Sequence, residues 1–304
     1  MTALSRRMWL QQLGLLGLSA ISPGWLSLTM RQLLTRKIPS SGEPLPSVGV
    51  GTWQTFDVGE SDAERNPLRE VLKNLVAEGG RVIDSSPMYG RSEDVVGDLA
   101  QELNLNQKLF FATKVWTSGA EAGKEQMKNS FRLFRRKTID LMQVHNLTDW
   151  KTHLKTLQKW KEEGRIRYIG LTHYLDSSHE TMEKIIRQNP IDFIQINYSV
   201  MSRHAESRLF PAAIDQKVAV LINRPFEEGA LFNKVKGKQL PEWAVEFDCQ
   251  SWAQFFLKFI LSHPAVTCVI PGTSKLKHLL DNIGAGKGKL PDEKQRQKMI
   301  SLLS

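Results

Sequence analysis

The sequence is poor in cysteine and lacks two common metal-binding motifs. It has two cysteines, Cys249 and Cys268, in 304 residues, and neither C-x-x-C nor H-E-x-x-H occurs. A structural or catalytic metal site is therefore not predicted. Cys268 lies in an apolar run, residues 265–270, which predicts a small buried core residue. A Cys249–Cys268 disulfide is an alternative that an oxidising compartment would allow, and the sequence leaves it open.

The sequence also lacks the features of two classes of protein, those with a Rossmann dinucleotide-binding motif and those that bind nucleic acids. The glycines of Val48-Gly-Val-Gly51-Thr-Trp53 lack the third glycine and the immediate helix of the G-x-G-x-x-G dinucleotide-binding motif. The formal net charge is +9, but the basic residues are spread along the chain and form no helix-sized patch with interleaved aromatic residues. Nucleic-acid binding is therefore not predicted, although the positive charge suits an anionic cofactor.

The N-terminal segment, residues 1–30, differs from the rest of the chain. Arg6 and Arg7 precede a modestly apolar, glycine-containing run that reaches Ala20 without an acidic residue. This pattern resembles a twin-arginine export signal, and it predicts transfer by the export machinery to the periplasm; otherwise the protein is cytoplasmic. The run is too short and too polar for a membrane span. An amphipathic segment or surface anchor is the alternative, and without a clear A-x-A site cleavage is left open.

From residue 31 onward, short apolar runs alternate with helical patterns. The candidate strands cover residues 48–52, 81–84, 109–114, 141–145, 168–172, 193–197, 218–223 and 266–270. The helical patterns lie near residues 65–79, 92–103, 121–135, 149–163, 177–188, 204–216, 250–262 and 275–284. Because a helix must carry the chain back between parallel strands, eight such units predict an α/β fold, a single (β/α)8 TIM barrel over residues 31–304. Two extended pieces around residues 40–42 predict a short hairpin before it.

Three consecutive candidate strands end in charged or titratable side chains. The first ends in Asp84, the next in Lys114 and the third in His145. Tyr89 follows Asp84 in a turn marked by proline and glycine. Because catalytic residues of a TIM barrel lie at the C-terminal ends of its strands, these four side chains are predicted to converge.

The four side chains together suit the reduction of a carbonyl group by a separate hydride donor. Hydride addition to the carbonyl carbon leaves an alkoxide, to which the Tyr89 phenol can give a proton. The Lys114 ammonium is expected to lower the phenol pKa from its ordinary value of about 10, and Asp84 is expected to keep the ammonium charged. His145 is expected to donate a hydrogen bond to the substrate oxygen.

With these motifs, the chain resembles the aldo/keto reductase family over residues 35–284. The matching motifs are Asp84-x4-Tyr89-Gly90-x-Ser92-Glu93, Thr113-Lys114 and Gln143-Val-His145-Asn146. The resemblance implies a (β/α)8 barrel that binds NADPH without a Rossmann motif. It also implies catalytic roles for Asp84, Tyr89, Lys114 and His145 as the family's tetrad.

The resemblance implies a set of cofactor contacts as well. The candidate cofactor-binding residues are Thr172, His173, Gln195, Asn223, Arg224, Pro225, Gly272, Thr273, Ser274, Lys275, His278, Asp281 and Asn282. His173 replaces the asparagine of a pair that holds the carboxamide, and Asn223 replaces an aromatic ring that stacks on the nicotinamide in many relatives. His278 replaces a frequent arginine. The hydroxyls and Lys275 suit a 2′-phosphate, so NADP is implied in preference to NAD.

The substrate is predicted to be a small-molecule carbonyl compound. Trp53 and Trp116 follow the first and third strands and are expected to line its pocket, with packing as the alternative. The predicted function is therefore an NADPH-dependent oxidoreductase that reduces an aldehyde or ketone to an alcohol. One alternative is a nucleotide-binding regulatory or partner subunit on the same fold. A carboxylate-driven hydrolase would need Glu93 or Glu227, and neither lies at a strand end beside another carboxylate.

Overall fold

A computed structural model describes residues 32–303 of the chain. The predicted leader, residues 1–30, lies outside the described residues. Export therefore stays a prediction. Recovery of the protein only in the cytoplasm, measured by cell fractionation, would contradict it. Within residues 32–303, no helix has both the length and the hydropathy that a membrane crossing requires.

A two-stranded antiparallel hairpin covers the N-terminal end of the main sheet. It consists of β1 (Thr35–Lys37) and β2 (Pro44–Pro46). Ile38 and Leu45 are fully buried in one apolar cluster with residues such as Phe110, near the start of a barrel strand. This cluster fills one end of the barrel, and the predicted catalytic residues lie at the opposite end.

The main sheet is a closed barrel of parallel strands. Its strands are Val50–Gly51 (β3), Val82–Asp84 (β4), Phe110–Val115 (β5), Ile139–His145 (β6), Ile166–Thr172 (β7), Phe193–Asn197 (β8), Ala219–Asn223 (β9) and Val266–Val269 (β10). Each strand pairs with the next along the chain. Parallel bridges from Val48 to Val269 and from Gly51 to Gly272 close the sheet. The predicted (β/α)8 barrel is confirmed.

The helices surround the barrel and mostly follow the predicted patterns. They are Asp62–Ala77 (α1), Ser92–Glu102 (α2), Ala120–Leu133 (α3), Trp150–Glu162 (α4), His179–Gln188 (α5), Leu209–Asp215 (α6), Ala230–Lys234 (α7), Trp252–Ser262 (α8), Leu276–Ala285 (α9) and Glu293–Leu303 (α10). The predicted helix near 204–216 is shorter because Arg208, with φ −141°, interrupts it. The sequence patterns missed α10, whose buried Arg296 donates a hydrogen bond of 2.7 Å to the Phe259 carbonyl in α8.

Both cysteines are buried free thiols, so the disulfide alternative is wrong for the described structure. Cys268 lies inside the barrel among apolar residues, as predicted. Burial raises the pKa of the Cys249 thiol to about 11, which keeps it protonated at neutral pH. Among residues 32–303, no group of three or more His, Cys, Asp or Glu side chains is placed to hold a metal ion.

The barrel interior is apolar near the hairpin and polar near the C-terminal ends of the strands. The apolar cluster, with the two hairpin residues, comprises Ile38, Leu45, Val82, Phe110, Ala112, Leu141, Tyr168, Phe193, Ala219, Leu221, Cys268 and Ile270. The polar layer contains four buried side chains, those of Asp84, Lys114, Gln143 and Gln195. Since unpaired polar groups are costly to bury, this layer must be internally hydrogen-bonded.

Candidate active site

The four predicted catalytic side chains meet at the C-terminal mouth of the barrel. Asp84 ends β4, Lys114 lies next to the end of β5 and His145 ends β6. These strands are direct neighbours in the sheet. Tyr89 lies in the loop between β4 and α2, and the centroid of its ring is 5.9 Å from that of His145.

Lys114 forms a buried ion pair below the tyrosine. Its Nζ donates to Asp84 Oδ2 at 2.7 Å and to the Ser85 carbonyl at 2.6 Å. The same Nζ lies 5.0 Å from the centroid of the Tyr89 ring. Burial alone would lower the pKa of the Lys114 ammonium, but the charge of Asp84 and the side-chain hydrogen bonds to Asp84 and Tyr89 outweigh burial and raise the pKa above its ordinary value. The lysine therefore stays charged, as the sequence predicts.

The pKa of Tyr89 differs from the sequence-based expectation. Burial raises it above the ordinary value for a phenol, and the lowering by the Lys114 ammonium only partly opposes that rise. Asp84 adds a further upward contribution. The phenol is consequently protonated throughout the neutral range, which suits a proton donor better than a base.

Asp84 is held by two glutamine side chains in addition to the lysine. Its Oδ1 accepts from Gln143 Nε2 at 3.1 Å and from Gln195 Nε2 at 2.8 Å. Gln195 Oε1 in turn accepts from Thr172 Oγ1 at 3.1 Å. In the predicted cofactor residue Gln195, both the amide nitrogen and the amide oxygen are therefore hydrogen-bonded to other side chains of the barrel. Gln143 was not among the predicted site residues, although its place two residues before His145 puts both on the same face of β6.

His145 is neutral and oriented by a serine. Burial, reinforced by the charge of Lys114, lowers the pKa of the imidazole to about 3. Its Nδ1 lies 3.1 Å from Ser86 Oγ, and that oxygen accepts the Met88 backbone N–H at 3.3 Å. The serine hydroxyl can donate to Nδ1 or accept from it, and when it donates the imidazole proton is on Nε2. Sequence reasoning missed Ser86, whose position between Asp84 and Tyr89 was the available signal.

The two predicted pocket tryptophans lie at the same mouth. Trp53 is 44% exposed and Trp116 is 43% exposed, so neither belongs to the core. The Trp116 ring centroid is 6.1 Å from that of His145. Their exposure is compatible with the predicted role of lining a substrate pocket, because an exposed indole offers an apolar surface.

Several predicted cofactor residues follow the next strands around the mouth. Thr172, at the end of β7, pairs in register with His145. In the following residue, His173, Nδ1 accepts two backbone N–H groups. They come from Tyr174 at 3.0 Å and from Leu175 at 3.2 Å. Asn223, at the end of β9, donates from Nδ2 to the His173 carbonyl at 3.2 Å. These contacts tie the ends of β7 and β9 together.

The loop after β9 contributes Arg224 and Pro225. Arg224 has a positive φ of 47°, and its guanidinium donates to the Tyr174 carbonyl at 3.3 Å. It also lies 3.3 Å from a Glu228 carboxylate oxygen, so it is paired within its own loop. Beside this loop is a cavity of about 390 Å³ lined by Tyr174, Leu175, Asp176, Ser177, Asn197, Met201, Ser202, Arg224 and Glu227. None of the four predicted catalytic residues lines it.

The predicted phosphate segment, residues 272–275, leads into α9 at the same end of the barrel. The parallel bridge from Gly51 to Gly272 places it beside the first barrel strand. Thr273 Oγ1 accepts the Lys275 backbone N–H at 3.1 Å, and Ser274 lies between them. Lys275 and His278 are exposed on the first turn, where they favour an anion.

The predicted adenine contacts near the end of α9 are less accessible. Asp281 Oδ1 accepts from Ser251 Oγ at 2.8 Å and from Gln254 Nε2 at 2.9 Å. Both donors belong to the start of α8, so this carboxylate ties α9 to α8. Asn282 is buried. The structure therefore gives Asp281 a structural contact that the sequence did not predict.

The fold and the strand-end side chains define a barrel enzyme of the oxidoreductase class. The sequence profile of the "Aldo/keto reductase family" matches residues 47–298, and the chain belongs to that family. The predicted enzyme type, an aldo/keto reductase-type oxidoreductase, is confirmed by this membership.

Individual relatives agree with this assignment. "Uncharacterized oxidoreductase YqkF" of Bacillus subtilis is 25% identical over 306 residues, covering 88% of this chain and 95% of the relative. The solved "aldo-keto reductase AKR11C1 from Bacillus halodurans (holo form)" has a TM-score of 0.74 and 21% identity, covering 90% of this chain and 97% of the other. An aldo/keto reductase from Klebsiella pneumoniae "in complex with NADP and acetate" has a TM-score of 0.73 and 23% identity, with 86% and 93% covered. The structural matches show a shared fold.

Proposed function

We propose that the protein is an NADPH-dependent reductase of aldehydes or ketones in which Tyr89 donates the proton. The observation that carries the proposal is the fully buried Lys114 ammonium, 2.7 Å from Asp84 Oδ2 and 5.0 Å from the centroid of the Tyr89 ring. A charged lysine is expensive to bury, and its best use here is to stabilise the phenolate that remains after proton transfer.

Each residue of the tetrad has a distinct task in this reaction. His145 Nε2–H donates to the carbonyl oxygen and polarises the C=O bond. When bound, NADPH supplies the hydride to the carbonyl carbon. Tyr89 gives its proton to the developing alkoxide, and Lys114 stabilises the phenolate. Asp84 accepts from Lys114 and from two glutamines, which fixes the position of the ammonium.

The residues at the mouth fit a phosphorylated nicotinamide nucleotide. The start of α9 offers the half-buried Ser274 and the exposed Lys275 and His278 to a 2′-phosphate, which favours NADP over NAD, while the buried Thr273 bonds the Lys275 backbone. At the other end of the predicted track, Asn223 Oδ1 is buried and has no hydrogen-bond partner within residues 32–303. Buried acceptors without donors are rare in proteins, and a polar ligand is one way to satisfy them. NADP in the Klebsiella pneumoniae structure supports the same cofactor class.

The decisive test is consumption of NADPH by the purified full-length protein with a simple aromatic aldehyde. We expect NADPH to bind and to be oxidised only when the aldehyde is present, with formation of the corresponding alcohol. Binding without turnover across aliphatic and aromatic carbonyl compounds would instead favour a regulatory or partner subunit. Absence of NADPH binding would exclude both functions.

The reaction rate is expected to depend little on pH. Reduction needs Tyr89 protonated and His145 neutral. The pKa of Tyr89 is raised above 10, so the proton is lost only as the pH rises beyond that value, and the pKa of His145 is about 3. We therefore expect kcat/KM for reduction to be constant from about pH 5 to 9. A break near pH 7 would contradict this expectation and would implicate Glu93, whose pKa is raised by burial to about 7.

A further inference from the structure

The backbone of Trp116 is held by one side chain of α3. Trp116 follows the last residue of β5 and begins the short loop of residues 116–119 that leads into α3 (the Trp116 loop). Gln126 Oε1 accepts the Trp116 backbone N–H at 2.5 Å, and Gln126 Nε2 donates to the Trp116 carbonyl at 3.2 Å. The glutamine amide thus pairs with both main-chain polar groups of the residue, which the end of the strand would otherwise leave to water.

The rest of the Trp116 loop is held from the beginning of α4. His153 Nε2 lies 2.6 Å from the Thr117 carbonyl oxygen, and because a carbonyl only accepts, the imidazole donates. This histidine is fully buried. Asp149 Oδ2 accepts the Gly119 backbone N–H at 2.8 Å. Side chains of α3 and of the first residues around α4 therefore fix three of the four residues in the loop.

The indole that this loop carries lies beside the predicted reaction centre. The Trp116 ring centroid is 6.1 Å from that of His145, and the Tyr89 ring centroid is 5.9 Å from the same imidazole. A carbonyl compound bound at the two polar groups therefore has its substituents near the indole. Because 43% of Trp116 is exposed, packing constrains the ring only in part. Its position depends on the backbone to which it is attached.

We infer that Gln126 is a positioning residue that sets the substrate preference through Trp116. By holding the Trp116 backbone, it keeps the indole as a fixed flat wall, which favours carbonyl compounds with an aromatic ring over those with a puckered saturated ring. The inference rests on the proposed function and deepens it, because it names the substrate feature that the mouth selects. A wall that is already ordered loses little conformational freedom when a substrate packs against it.

Two aldehydes with the same number of carbon atoms, benzaldehyde and cyclohexanecarbaldehyde, test this preference in the full-length protein. The measured quantity is the ratio of kcat/KM for benzaldehyde to kcat/KM for cyclohexanecarbaldehyde. Their different intrinsic reactivities cancel when a variant is compared with wild type. Gln126→Met has a similar length and lacks both polar atoms, so it should lower the ratio about fivefold. Gln126→Glu keeps an acceptor for the Trp116 N–H and should stay within about twofold of the wild-type ratio.

A double variant shows whether the glutamine acts through the indole. Trp116→Leu removes the flat wall, so Gln126→Met should have no further effect on the ratio in that background. Gln158→Met makes the same chemical change at a half-buried position of the neighbouring α4 and should leave the ratio and kcat at their wild-type values. A role of Gln126 in stability alone would lower kcat for both aldehydes equally and leave the ratio unchanged.

Fluorine NMR of the protein labelled with 5-fluorotryptophan measures the order of the indole without turnover. The resonance of Trp116 is the one that is absent from Trp116→Leu. We expect a single narrow line in wild type and in Gln158→Met. In Gln126→Met the same line should broaden or split, because the loop backbone then has more than one position.

The outcomes distinguish this inference from the proposed function. An unchanged ratio in Gln126→Met, or an equal fall of the ratio in the Trp116→Leu background, would overturn the inference while the reductase function stands. The same narrow Trp116 resonance in wild type and in Gln126→Met would also overturn it. Failure of wild type to reduce any aliphatic or aromatic carbonyl compound would overturn the proposed function and the substrate preference together.

Discussion

Replacing Tyr89 by phenylalanine is expected to lower kcat by about a thousandfold, in line with the roughly 10²–10⁴ that a positioned general acid contributes. The substitution removes only the phenol oxygen. Asp84 and His145 keep their contacts, and Lys114 keeps its hydrogen bonds to Asp84 and to the Ser85 carbonyl while it loses the one to the Tyr89 hydroxyl. NADPH affinity should therefore stay within about threefold of the wild-type value. Steady-state kinetics with an aromatic aldehyde and a fluorescence titration of NADPH measure the two quantities.

A matched control is available at the other end of the barrel. Tyr168→Phe deletes the same oxygen where the hydroxyl meets Ser41 Oγ at 2.8 Å and Glu43 Oε2 at 2.7 Å. We expect this variant to lose about 1 kcal/mol of its free energy of unfolding and to keep the wild-type kcat. Wild-type turnover by Tyr89→Phe would refute the assignment of the proton donor. Equal loss of activity in both variants would point to a general disturbance of the barrel.

Replacing Lys114 by methionine is expected to affect stability as well as catalysis. The ammonium is fully buried, and Asp84 is almost so. Without the lysine, the Asp84 carboxylate remains buried with only two glutamine donors, and removing one partner of a buried pair typically costs about 3–5 kcal/mol. We expect the free energy of unfolding to fall by that amount in urea denaturation, and kcat to fall because the phenolate loses its cation.

The double variant Lys114→Met/Asp84→Asn separates the two effects. It removes both charges, while the amide introduced at position 84 still offers an oxygen to the glutamines, so most of the lost stability should return. Activity should stay low, because stabilisation of the phenolate needs the ammonium and not merely a folded site. A single Lys114→Met variant as stable as wild type would contradict the buried ion pair seen in the structure. Recovery of activity in the double variant would contradict the role of Lys114.

The barrel and the position of its candidate catalytic residues could be predicted from local patterns. Short apolar runs separated by helical patterns require parallel strands, and eight units favour a closed barrel. The residues at the ends of neighbouring strands then have to meet at one rim. For this reason Asp84, Lys114 and His145 could be placed together without knowledge of any distance.

Elements without a strong local pattern were harder to predict. Helix α10 follows a stretch rich in glycine, and its attachment depends on the contact from Arg296 to α8. The carboxylate of Asp281 was expected to contact adenine, but Ser251 and Gln254 occupy it. Both outcomes depend on contacts between segments that are about thirty residues or more apart in the chain, which residue periodicity does not encode.

The sequence by itself determined the barrel, the family and the residue types at the mouth, because these follow from side-chain periodicity and short motifs. Only the tertiary structure decided how those groups behave. Burial outweighs the charge of Lys114 and raises the pKa of Tyr89, where the sequence suggested the opposite. Packing likewise turned Gln195 toward Asp84 and left Asn223 Oδ1 buried without a hydrogen-bond partner within residues 32–303. Desolvation and hydrogen-bond partners depend on which distant segments enclose a group, and that enclosure exists only in the folded protein.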